Sequence, residues 1–166
     1  YILTATNAGC TVTQEITLHM PIAVASADVT ICEGETTILT ATNLDDIGDL
    51  NGTTYEWSTG ETGNSIEVSP LSVTTYTVSV FSDNGCFDTD EVIVSVLPPP
   101  SVDAGNDVTI CAGEPTTLTA TNLDDINNIG GTNVWTTFET TQHITVFPTT
   151  TTTYYAVIID SNGCIG

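Results

Sequence analysis

Two kinds of side chain in this sequence could do chemistry, carboxylates and thiols. Asn43, Asp45, Asp46 and Asp49 crowd one short stretch, and Asn122, Asp124 and Asp125 crowd another. Asp103, Asp107, Asp160 and Asn162 stand in further turn-like stretches. Oxygen donors at this density suit Ca2+, which takes about six to eight of them in a flexible geometry, although no EF-hand spacing is present. The competing reading is simpler: Asp, Asn and Gly make good turns. Both stay open at this level. The thiols are Cys10, Cys32, Cys86, Cys111 and Cys164. They form no CxxC pair and no Cys/His metal spacing, so they read as disulfide partners in an oxidising, extracellular setting.

Other reactive types point to no active site. His19 and His143 fall at unrelated positions of the repeat in this chain, and nothing places two carboxylates across a cleft for acid–base work. Tyr76 and Tyr154 read as core or corner tyrosines of a β-sandwich. Asn51-Gly-Thr53 matches the glycosylation triplet but reads as loop. The expectation is a protein that is not an enzyme.

Charge narrows the partners. The chain has 21 acidic residues, no Lys and no Arg, a formal net charge of −21. Without cations to displace counterions from phosphate, nucleic-acid binding is excluded in its ordinary form, and attraction to anionic lipid is disfavoured. A charge of this size also keeps a surface soluble and self-repelling, with or without bound cations. No apolar run approaches the ~18 residues of a membrane helix, so no membrane insertion is expected. Thr is about a fifth of the residues and helix formers are scarce, which favours strands.

The elements that must position these groups come in copies. Leu39-Thr-Ala-Thr-Asn-Leu-Asp-Asp-Ile47 is repeated letter for letter from Leu118 to Ile126. Landmarks on both sides keep nearly the same spacing: Cys32 maps to Cys111, Trp57 to Trp135, Pro70 to Pro148, Tyr76 to Tyr154 and Cys86 to Cys164. The unit is therefore a module of roughly 80 residues, too small for a thick core and dependent on staples or neighbours. Residues 1–20 read as the C-terminal strands of a preceding, truncated module. Asn7-Ala-Gly-Cys10, with Thr-Val-Thr-Gln-Glu-Ile-Thr-Leu after it, matches Asp83-Asn-Gly-Cys86, with Phe-Asp-Thr-Asp-Glu-Val-Ile-Val after it. The echo of the repeat in Leu3-Thr-Ala-Thr-Asn7 reads as chance.

Residues 21–97 form the next module, 98–100 a stiff Pro linker, and 101–166 a module lacking its last strand. Alternating apolar residues predict strands at Val29–Ile31, Thr37–Ala41, Tyr55–Trp57, Ser65–Val68, Tyr76–Val80 and Asp90–Val96. Module two is expected to follow the same plan. Short strands with turns every 8 to 12 residues or so predict an all-β fold, tandem antiparallel β-sandwiches in an extended array.

Asp103-Ala-Gly-Asn-Asp-Val-Thr-Ile-Cys-Ala-Gly-Glu114, the Trp of the third strand, the Thr-Thr-Tyr approach to the sixth strand and Asp160-Ser-Asn-Gly-Cys164 together resemble PKD/immunoglobulin-like repeats. Such repeats are found in very large cell-surface adhesins of Bacteroidota, including the SprB type of gliding cells. The resemblance implies a secreted, cell-surface stalk or filament serving adhesion or gliding motility. One departure matters: Trp57-Ser-Thr-Gly60 and Trp135-Thr-Thr-Phe138 stand where PKD modules often have a Trp-x-Phe-Gly-Asp-Gly-like run.

In a sandwich of that class the turn after the first strand and the turn before the last lie at opposite ends. That favours an inter-module bond, Cys32 to Cys164, over the within-module pairs Cys32 to Cys86 and Cys111 to Cys164; free thiols are the third alternative. The same topology gathers Asp45, Asp46, Asp49, Asp103, Asp107, Asp124, Asp125 and Asp160 toward the module tops, where Ca2+ would bind if the oxygens are ligands. The leading functional expectation is a structural stalk segment giving reach and stiffness, its partners being neighbouring modules of the same long chain. The alternative is a loop-mediated glycan- or protein-binding module, with a surface glycan or protein as ligand.

Overall fold

Period-two alternation decides the local structure. The computed structural model describes residues 2–15, 20–44, 52–83, 85–123 and 131–166, and every regular element among them is a β-strand. The chain divides into two compact units. The first comprises Tyr1–Val29, Thr36–Ser69 and Val73–Val94, and the second Thr30–Glu35, Pro70–Ser72 and Ser95–Gly166.

The chain opens with a hairpin of β1 (Ile2–Asn7) and β2 (Cys10–Glu15) in continuous antiparallel register from Ile2↔Glu15 to Asn7↔Cys10. Its two-residue turn needs positive φ at both central positions, and Ala8 (φ 48) and Gly9 (φ 85) adopt it. The segment from Leu3 to Asn7, a chance echo by its letters, is thus a strand in its own right.

Two antiparallel sheets come next. One has the order β3 (Ala23–Ala25), β5 (Thr37–Asn43), β7 (Ser65–Val68). The other has the order β4 (Val29–Cys32), β9 (Phe87–Leu97), β8 (Thr74–Phe81), β6 (Thr54–Trp57). Alternation puts Leu39, Ala41, Ile66 and Val68 of the first sheet, and Trp57, Tyr76, Val78, Val80, Val92 and Val94 of the second, in the core. The long β8–β9 ladder is closed at its turn by the directly opposed Phe81 and Phe87, whose ring centroids are 5.6 Å apart.

Carboxylates cover the free edge of β3. In its pairing with β5, the amides of Ala23 and Ala25 point away from the partner strand. Asp88 Oδ2 accepts from Ala23 N–H and Asp90 Oδ2 from Ala25 N–H, each at 2.9 Å. Asp28 Oδ1 in turn accepts from Ile93 N–H of β9 at 2.8 Å. Acidic residues that read as solvent-facing along the sequence therefore serve as backbone acceptors where a strand edge would otherwise be bare. Replacing Asp88 or Asp90 by Ala is expected to cost about 1–3 kcal/mol each, the penalty for orphaning a half-buried amide. Urea denaturation measures this, and Asp88→Asn, which keeps an acceptor oxygen, should lose less.

The second unit follows the same plan with shorter strands. β10 (Val102–Asp103) pairs with β12 (Thr121–Asn122), β11 (Thr116–Thr119) with β14 (His143–Val146), and β13 (Thr132–Trp135) with β15 (Ala156–Ile159), all antiparallel. Ala120, Trp135, Ile144 and Val146 form its core, with Val102, Leu118, Tyr154 and Ala156 packed against them. The copies agree in detail. Trp57 Nε1 donates to Gly63 O at 3.0 Å, and Trp135 Nε1 donates to Thr141 O at 2.9 Å.

One expected strand is not formed. Val108–Ile110 matches part of β4 in sequence yet has no strand pairing. In the first sheet system β4 is held by β9, and among the described residues of the second unit no strand occupies that place. Residues 104–110 and 148–154 instead flank a groove of about 630 Å³ with Leu118 and Trp135 along it. Leu118 and Tyr154 are accordingly only half-buried, whereas Leu39 and Tyr76 are buried.

Candidate functional site

Cys32 ends β4 in a tight turn. Glu35 N–H donates to the Cys32 carbonyl at 3.0 Å, and the Glu35 carboxylate accepts from Cys32 N–H at 2.9 Å. Gly34 takes φ 88 there, a conformation that a side chain would strain. On the other side, the turn after β15 runs from Asp160 to Cys164, with Asp160 N–H donating to Cys164 O at 2.9 Å and Gly163 N–H to Asp160 O at 3.1 Å. The two turns are joined by a disulfide between Cys32 and Cys164, Cα–Cα 5.4 Å, across a sequence separation of 132. Both cysteines belong to the second compact unit, because Thr30–Glu35 groups with it.

This bond removes both within-module alternatives, each of which needs one of its two cysteines. The geometry explains why Cys32 does not reach Cys86. Glu33 N–H donates to Leu97 O at 2.9 Å, so Cys32 lies level with the C-terminal end of β9, while Cys86 precedes its N-terminal end. An eleven-residue strand separates them by roughly 30 Å at ~3.3 Å per residue, against the ~7 Å a disulfide spans. Cys10 and Cys111 are exposed thiols, and Cys86 is half-buried, its carbonyl accepting from Ser82 N–H and Ser82 Oγ.

Asp160 is the acid most tightly held by this turn. Its Oδ1 accepts from Asn162 N–H at 2.8 Å and from Cys164 N–H at 2.9 Å. Burial pushes its pKa up, but the amides of Cys164, Asn162 and Gly163 together with the Asn162 side chain outweigh it, so the carboxyl is held below its ordinary value of 3.8. The folded chain thus binds this proton less tightly than the unfolded chain does. The resulting stabilisation is complete above pH 3.8 and is lost as pH falls through the lowered folded-state value. In an acid series of thermal melts, wild type should lose an increment below pH 3.8 that Asp160→Asn lacks. Superimposable acid arms would show that the charge contributes nothing.

Of the other candidate metal ligands, Asp103 Oδ1 accepts from Gly105 N–H at 2.8 Å in a local turn, and Asp107 is exposed. Asn43 Oδ1 accepts from Ile22 N–H at 2.9 Å and so fixes the entry to β3. Asp45, Asp46, Asp49, Asp124 and Asp125 lie outside the described residues, as do His19 and Asn51. Among the described residues no three His, Cys, Asp or Glu side chains converge as metal ligands. Asp103 and Asp160 each accept backbone N–H groups within their own turns. His143 is a strand residue whose Nδ1 lies 2.9 Å from Thr119 Oγ1 on the opposed strand.

One group of residues carries no signal in what the two copies share. On the outward side of β13 and β15, Val134 lies directly opposite Val157, and Tyr155 follows beside Thr136. Phe138 occupies the turn after β13 at φ 68, 90% exposed. The matching positions of the first unit are Glu56, Ser79, Thr77 and Gly60. The signal lies in the repeat itself, at the positions where the copies disagree.

The strand order β3-β5-β7 against β4-β9-β8-β6 defines the class: an immunoglobulin/PKD-like antiparallel β-sandwich. No protein-family model matches the chain, and no curated protein matches it in sequence. Solved structures do. The first immunoglobulin domain of mouse SynCAM 2 aligns with 49% of this chain and 99% of its own at 22% identity and a TM-score of 0.34. The PKD1 domain of the Vibrio cholerae metalloprotease PrtV aligns with 46% of this chain and 96% of its own at 20% identity and a TM-score of 0.31. The insect immune protein hemolin aligns with 100% of this chain and 53% of its own at 13% identity and a TM-score of 0.44.

Proposed function

We propose that the chain is a structural segment of an extracellular adhesin or filament, of the kind its sequence resembles in Bacteroidota, and that its contribution is reach and stiffness without catalysis. The carrying observation is repetition reinforced by covalent closure. Two copies of one sandwich plan share the same indole hydrogen bond and the same turns, and a disulfide spans a sequence separation of 132. Repeated modules of this kind suit a load-bearing role, since each copy adds length in a quasi-one-dimensional way. The bond also implies export to an oxidising compartment. In this reading the neighbouring partners are further modules.

Force spectroscopy on the chain held by its ends tests the proposal. Oxidised, the residues between Cys32 and Cys164 should not extend. Reduction should release roughly 450 Å of contour for the 132-residue separation at ~3.4 Å per residue. A chain that gives way at equal force and equal length in both redox states is no stalk segment of this design.

A further inference from the structure

We propose that the outward side of β13 and β15 is a binding face for a neutral oligosaccharide. This goes beyond the stalk reading and does not depend on it, since a spacer has no need of exposed aromatic rings. The two copies differ at exposed positions, Ser69 for instance becoming Phe147, 62% exposed. Three buried positions are kept, Trp57 with Trp135, Ile66 with Ile144 and Val68 with Val146, while Val78 becomes Ala156 and Val80 becomes Ile158. On the outward side of β13 and β15 the first unit's Glu56, Thr77 and Ser79 become Val134, Tyr155 and Val157, and in the turn that follows β13 Gly60 becomes Phe138. Four polar or small residues give way to apolar and aromatic ones, and Tyr155 stays 66% exposed.

Phe138 is the most costly of these changes. Gly60 occupies its turn in the first unit at φ 84, held by Gly60 N–H to Trp57 O and Trp57 N–H to Glu61 O. The second unit keeps both hydrogen bonds, Phe138 N–H to Trp135 O and Trp135 N–H to Glu139 O, and keeps the left-handed backbone, yet carries a bulky ring. A phenylalanine held in glycine's conformation and exposed to water is unfavourable on both counts. Strain of that sort persists where the side chain has a use.

The occupant follows from charge and size. The chain has no Lys or Arg, and its charge of −21 repels acidic glycans, nucleic acid and anionic lipid. Exchanging Glu56 for Val134 removes an acid from this face, so recognition of a basic partner by charge is not what the change favours. Four side chains expose on the order of 400 Å² at most, about half of what one partner gives to a standard protein interface. Flat rings and hydroxyls match a sugar: Tyr155 offers a face for C–H stacking with Thr136 beside it, and the turn after β13 carries Phe138 with Thr137 and Glu139, Thr137 Oγ1 donating to Glu139 Oε2 at 2.9 Å.

The test is amide NMR titration of the intact chain with cellohexaose, mannohexaose and xylohexaose. At least one should shift resonances of residues 132–138 and 155–157 and leave the matching residues of the first unit unmoved. Tyr155→Thr, which restores the residue type of Thr77, should weaken binding about tenfold with melting unchanged. Phe138→Gly should weaken binding while raising the melting temperature, two effects of opposite sign that misfolding cannot produce. Three results would each overturn the proposal: no shift with any sugar at millimolar concentration, shifts that survive in both variants, or occupation of this face by cationic cytochrome c with no sugar bound.

Discussion

Replacing Cys32 by Ser should lower the unfolding free energy of the second unit by about 5 kcal/mol, the chain-entropy cost of freeing a loop that closes 132 residues. The comparison is best made at the half-buried cysteine, because Cys164 is 1% exposed and a hydroxyl there would add its own desolvation cost. The readout is built in. Trp57 belongs to the first unit and Trp135 to the second, so a Trp57→Phe background leaves fluorescence that follows the second unit alone. Urea denaturation of that protein, oxidised against Cys32→Ser, should show a lower midpoint for the variant. Cys10 and Cys111 are exposed and should be alkylated first. A difference under about 1 kcal/mol would mean that the unfolded chain is already compact between these cysteines.

Trp57→Ala and Trp135→Ala should each cost about 3–5 kcal/mol, enough to leave the affected unit largely unfolded. Both indoles are 2% exposed, and both N–H groups donate to a loop carbonyl six residues on, at 3.0 and 2.9 Å. Truncation therefore opens a cavity and strips a hydrogen bond at once. Trp→Phe keeps most of the volume and should cost roughly 1–2 kcal/mol less than truncation. Because the two sites are geometrically alike, similar losses are expected. A much smaller loss at Trp135 would show that the groove beside it lets the second core collapse around the gap.

How far each feature is legible in the sequence depends on how local it is. The strands at Thr37–Ala41, Ser65–Val68 and Tyr76–Val80 are legible because alternation over a few residues is enough to specify them, and the structure extends them by at most a few residues to Thr37–Asn43, Ser65–Val68 and Thr74–Phe81. β3 is not legible, since Ala23–Ala25 carries too little alternation to stand out. Val108–Ile110 fails in the other direction: it has the pattern of β4 but, among the described residues, no strand pairs with it. Phe138 and Tyr155 are not legible, because recurrence marks only the positions that the two copies share, and these are positions where they differ.

From the letters alone come the β class, the repeated module and the buried tryptophans, since these need only short-range periodicity and recurrence. Which carboxylates serve as backbone acceptors is settled only by the folded chain. Asp88 meets Ala23, Asp90 meets Ala25 and Asp28 meets Ile93, each across 65 residues, and no local rule ranks such encounters. The union of Cys32 with Cys164 stands between the two: sandwich topology favours it over the within-module pairs, but the choice falls to the folded chain, because a thiol takes whichever partner the sheets carry within reach, and reach is a property of three dimensions.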